Sequence, residues 1–220
     1  MVKLDTLSEN MDTSSRANEF DFDKRLDYLG EFHNICNVAE KVVEKDEFDD
    51  RIVENEDEWN LVDVLDLCGL DEIMQFFEPH IFEYLSDEEK SEVMDKFRDK
   101  LAEELQLENP PEIITDDLGD ESRRGNYDPA LNIVVVNTAI MQDGSQVRAT
   151  LAHEMRHGWQ HERAALPEES QSAFDKALKE NFENYISPED NYRAYRSQLV
   201  EMDAREFARG LVEDMYFSQE

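Results

Sequence analysis

Two histidines, His153 and His157, stand four residues apart in the run Leu151-Ala152-His153-Glu154-Met155-Arg156-His157. On a helix, residues four apart lie one turn apart on the same face, so both imidazoles can turn toward one cation. A zinc ion takes imidazole nitrogens at ~2.0–2.1 Å, a span such a pair can close. Glu154 is offset round the helix. It is badly placed as a ligand and well placed to reach a water beside the cation, which is the position of a general base. The chemistry this pattern could do is hydrolysis of a peptide bond with one Zn2+ ion as cofactor. A pattern this short also arises by chance, so its surroundings have to support it.

A cation held by two histidines needs a third protein ligand. The run Glu201-Met202-Asp203-Ala204-Arg205-Glu206-Phe207-Ala208 supplies a helical acid, Glu201, with Ala204 and Ala208 on its own face. Small residues there let this helix press close to the histidine helix. Tyr192 and Tyr195 lie just upstream and could place a phenol over the site, as could Tyr127. Gln160, Asp203 and Arg205 are candidates for orienting a ligand from behind. His161 competes as third ligand, but its Cα lies ~12 Å from that of His153 along a straight helix. The metzincin spacing would require histidine where Arg163 stands and glycine where Gln160 stands. His161 is therefore expected outside the ligand set, and His33 and His80 receive no role.

The elements that must position these residues are mostly helical. Ser86 and Glu89 have the spacing of a capping box and open a helix expected to run to about Leu105, ended by Asn109-Pro110-Pro111. Glu112–Thr115, the segment around Gly125–Asp128 and the branched run Leu131–Asn137 read as strands of a small antiparallel sheet. Helices are expected over about 146–164, 169–184, 188–197 and 198–217. The fold class is α+β, with the sheet beside the histidine helix.

Composition bounds the rest. The chain has 220 residues, 40 % of them hydrophobic, with 7 Gly and 6 Pro, which suits a helical protein with a real core. The net charge is −33, of which −26 falls on residues 1–120. Such a surface repels phosphates and anionic lipid, which argues against nucleic acid and membrane partners. Residues 1–19 read as a polar, acidic, flexible tail, and 20–84 as an acidic helical accessory region with an apolar stripe from Leu61 to Phe77. Residues 85–220 read as the domain that carries the site. The two cysteines, Cys36 and Cys68, fit buried thiols rather than a disulfide framework or a cysteine zinc site. With no apolar leader and no membrane-length run, the expected compartment is the cytoplasm.

Taken together, Gly125-Asn126-Tyr127-Asp128, Asn132–Asn137, the H-E-x-x-H helix and the later E-x-x-A-x-x-F-A run resemble the gluzincin branch of the zincins. They are most similar to the small ImmA/IrrE-type metallopeptidases of bacteria and phages, over about residues 86–217. The resemblance implies a zincin-like domain, His153, His157 and Glu201 as zinc ligands and Glu154 as catalytic base. It implies a peptide or protein substrate, with the strand around Ile133–Val136 lining the cleft and pairing with it. The sequence departs from that family in the helical segments between the histidine helix and Glu201, and in an acidic N-terminal half without a DNA-binding signature. An alternative from another class is an inactive zincin-fold adaptor whose acidic N-terminal half docks a basic protein.

Overall fold

The computed structural model describes residues 61–217, with side chains to residue 211. The tail over 1–19 and residues 20–60 of the accessory region, with His33 and Cys36, lie outside the described residues. Within them, four helices come first: α1 (Leu61–Leu67), α2 (Leu70–Gln75), the single turn α3 (Pro79–Phe82) and α4 (Asp87–Leu105). Three strands follow, β1 (Glu112–Asp116), β2 (Gly125–Asp128) and β3 (Ile133–Asn137). Then come α5 (Gly144–Ala165), α6 (Ala173–Glu183), α7 (Pro188–Ser197) and α8 (Leu199–Phe217).

Local chemistry explains most of the boundaries. Ser86 and Glu89 form the capping box in full: the Ser86 hydroxyl accepts from the Glu89 N–H and the Glu89 carboxylate from the Ser86 N–H. The far end of α4 stops at Gln106, which takes a left-handed conformation with φ 55° ahead of the prolines. Asp143 caps α5 by accepting from the Gln146 N–H, which starts this helix slightly earlier than its sequence suggests. The helix expected from residue 169 begins at Ala173, because Ser172 and Asp175 close a second capping box there. A kink at Asn191 divides α7.

Among the described residues the α+β class holds, mostly helix with one small sheet. The sheet is mixed, not antiparallel. Its order is β1-β3-β2, with β2 antiparallel and β1 parallel to β3. A tight reversal after Asp128, in which Asn132 adopts φ 54°, folds β3 back along β2. The chain has already reversed once between β1 and β2, so β3 again runs in the direction of β1. Local strand propensity carries no information about that pairing.

The apolar stripe of 61–84 is buried. Val64, Leu65, Ile73, Phe76, Phe77 and Phe82 share one core with Phe97 and Leu101 of α4 and Val147 and Leu151 of α5. Each such side chain contributes ~1.5–3 kcal/mol on burial. Phe77 stacks on Phe82 at 5.5 Å and meets Phe97 edge-on at 5.2 Å. Arg148 of α5, itself buried, donates to the Met74 carbonyl at 3.1 Å and ties the first helices to the histidine helix. Cys68 is buried as expected. Among the described residues no helix is long and apolar enough to cross a membrane.

Candidate metal centre

His153 and His157 lie in the middle of α5, and Glu201 lies in the first turn of α8. These two helices pack on each other, Ala204 and Ala208 of α8 are both buried, and Glu201 reaches the imidazole pair. From the other side β2 presses on α5. A Cβ at Gly125 would stand 2.5 Å from the Thr150 methyl group and 3.4 Å from Glu154 Cγ, so only glycine allows this approach.

The three side chains converge. The Nε2 atoms of His153 and His157 are 3.1 Å apart. Glu201 Oε2 is 3.5 Å from His153 Nε2, and Oε1 is 3.5 Å from His157 Nε2. One donor atom from each residue lies within 4.8 Å of the others. Ligands at ~2.05 Å from a tetrahedral ion are ~3.3 Å from one another, so these separations are those of three corners around a cation.

The charge states suit the same use. Burial lowers His157 to about 4, and the neighbouring His153 acts in the same direction, so its ring is neutral at pH 7. Glu201 is lowered to about 2: burial opposes its charge, but a hydrogen bond from His153 and the charges of both histidines outweigh it. For His153 burial pulls down, while Glu201 and Glu154 pull its value up by more. Burial raises Glu154 to about 7, with Glu201 adding to the shift. His157 as a neutral imidazole and Glu201 as an ionised carboxylate are donors a metal ion takes without first displacing a proton, whereas His153, drawn toward its protonated form by the two carboxylates, would give up its proton on ligating. The residues present fit a cation.

A second layer holds them. Gln160, fully buried, faces His157 Nδ1 with Oε1 at 2.8 Å and donates through Nε2 to the Val200 carbonyl and to Asp203 Oδ2. Asp203 in turn accepts two hydrogen bonds from Arg156, whose guanidinium lies 3.7 Å over the Trp159 ring. Arg205 reaches Glu201 Oε2 at 3.5 Å. Gln160 thus touches His157, Arg205 touches Glu201, and Asp203 reaches the group through Gln160.

The tyrosines sort differently. Tyr195 is beside Glu201, which with burial pushes its phenol up. Tyr192 is 62 % exposed and touches Tyr195 only ring to ring, 6.2 Å between centroids. Tyr127 spends its hydroxyl on Asn132 at 2.9 Å, while its backbone lies near enough to Glu154 to oppose in small part the rise that burial gives that carboxyl. His161 stacks on Phe182 at 3.9 Å and stands apart from the group of three. Tyr185, which no spacing argument singled out, donates its hydroxyl to Glu201 Oε1 at 2.9 Å. It sits on the connector after α6, where no periodicity marks it.

Residues 87–182 match the model of a family described as "Putative metallopeptidase family (DUF6782)". The matched stretch holds the sheet and the H-E-x-x-H helix and stops short of Glu201. Over it the chain is metallopeptidase-like, and the three converging donors lie partly inside and partly beyond it. No curated protein and no solved structure matches the chain.

Proposed function

We propose that the chain is a zinc metallopeptidase of the H-E-x-x-H…E kind, a gluzincin in its ligand set. The observation that carries this reading is the convergence of His153, His157 and Glu201 with the buried carboxyl of Glu154 beside them. When bound there, zinc would lower the pKa of a water and polarise the scissile carbonyl.

The remaining work belongs to the chain. Glu154 accepts a proton from the attacking water and delivers it to the leaving amine. Of the three phenols considered from sequence, Tyr195 is the one beside the ligand carboxylate, and it serves as donor to the developing oxyanion.

The substrate edge needs a correction. β3 is the central strand, paired on both sides, and has no free edge for a peptide. The Asn137 N–H bonds the Arg124 carbonyl, so along β2 the alternate residues Gly125 and Tyr127 turn their peptide groups away from β3. That outer edge of β2, next to Glu154, is where an extended peptide can add.

The deciding experiment is elemental analysis of the purified chain with cleavage of an unfolded protein, wild type against Glu201→Ala. One zinc per wild-type chain, lost with activity in the variant, supports the peptidase. Stoichiometric zinc without hydrolysis favours the adaptor, and no metal at all sinks both.

A further inference from the structure

The connector between α6 and α7 passes beside the converging donors. Tyr185 lies on it and donates to Glu201 Oε1 at 2.9 Å, the same oxygen that is 3.5 Å from His157 Nε2. Its ring is 44 % exposed, so burial alone does not hold it there. Two amide side chains do.

Gln198, buried between α7 and α8, accepts from the Ile186 N–H and donates to the Ile186 carbonyl, each at 3.1 Å. It thus pairs with both peptide groups of one connector residue, as a neighbouring strand would. Asn181 donates to Gln198 Oε1 at 3.3 Å and accepts from the Val200 N–H at 2.9 Å. Val200 N–H is one of the open donors in the first turn of α8, the turn that carries Glu201. The connector and that turn are one hydrogen-bonded unit, and it carries both Tyr185 and Glu201.

We propose that Tyr185, clipped in place by Gln198, is a positioning residue for metal binding: it holds the Glu201 carboxylate toward His153 and His157 before a cation arrives. The proposal rests on the reading of those three residues as the metal-holding group. A free glutamate side chain loses rotamer freedom when it ligates, whereas one already held has lost it on folding. From the other side Arg205 faces Oε2 at 3.5 Å, a longer and weaker contact.

The test is zinc affinity of the full chain, measured by competition with a chromophoric chelator. Tyr185→Phe, which keeps the ring, is expected to bind zinc about tenfold or more weakly, the usual effect of losing an outer partner of a ligand. The melting temperature of the metal-free protein should fall only as far as the loss of one hydrogen bond to a buried carboxylate lowers it, with unfolding still cooperative. Gln198→Ala should weaken zinc in the same way, and the double variant should lose less than the two singles combined, as coupled residues do. At saturating zinc, Tyr185→Phe should recover its cleavage rate. Wild-type zinc affinity in Tyr185→Phe would overturn the proposal and leave the metallopeptidase reading intact. So would a rate that stays low with zinc saturated, which would make Tyr185 a substrate contact. A wild-type chain that binds no zinc would remove the metallopeptidase reading, and this proposal with it.

Discussion

Gln160 and His157 meet across 2.8 Å, Oε1 against Nδ1. Gln160 spends both amide protons on oxygen acceptors, the Val200 carbonyl at 2.9 Å and Asp203 at 2.7 Å, so its amide cannot be turned round. His157 Nδ1 must then be the donor, and Nε2 carries the lone pair that faces His153 and Glu201. Gln160→Leu removes the acceptor and leaves a buried N–H and two oxygens without this partner. Zinc affinity should fall ~10–100-fold. Metal-free stability should fall by ~1–3 kcal/mol. Chelator competition and urea unfolding read the two effects separately, and unchanged zinc affinity would refute the role given to the amide.

Glu154 is the second test. Glu154→Gln keeps the shape, but it cannot take a proton from water. Zinc content should stay at the wild-type level while cleavage falls by ~10²–10⁴-fold, the range of a lost general base. A fully active variant would remove Glu154 from the mechanism.

The site was legible where helical periodicity governs it. His153, Glu154 and His157 follow from a four-residue spacing, and Glu201 from an acid next to Ala204 and Ala208 on one face. Gln160 was within reach because it sits one turn beyond His157, and Asp203 because it follows Glu201 by two residues on the same helix. The parallel partnership of β1 with β3 was not, because pairing depends on how the chain crosses between strands. Tyr185 was also hidden: a connector has no period, and Gln198 fixes it through main-chain atoms that any sequence would offer. Tyr127 shows a third limit. Its hydroxyl drew attention, yet it is its backbone that lies near Glu154.

Acid should weaken the fold in part through Asp175. Its carboxylate accepts from Arg163 twice, each at 2.8 Å, and from the Ser172 N–H at 2.7 Å. The Arg163 hydrogen bonds are the main cause that lowers it to about 2. Its ordinary value is ~3.9, so the folded state holds the lower pKa. The stabilisation is therefore fully present above pH ~4 and is lost as pH falls toward 2. Asp175→Asn should cost about 1 kcal/mol at neutral pH, where cap and ion pair are both weakened. The gap between wild type and variant should then close between pH ~4 and ~2. Urea unfolding across that range measures it, and a gap independent of pH would contradict the assignment.

Gly144 tests whether the helices of residues 61–84 and the histidine helix are packed as one core. A Cβ there would stand 2.3 Å from the Phe77 carbonyl oxygen and 2.7 Å from the Phe82 side chain. The first obstacle is backbone and cannot swing aside. Gly144→Ala must then either push α5 away from the Phe77–Phe82 turn or strain that turn, and overpacking of this kind costs ~1–3 kcal/mol. Helix propensity favours alanine over glycine by ~1 kcal/mol, so at an open position the sign would be reversed. The sign of the change therefore decides the matter. A loss of stability in urea unfolding shows that the start of α5 is pressed onto Phe77 and Phe82. A gain would show that this packing does not form, and that α5 begins free of the preceding helices.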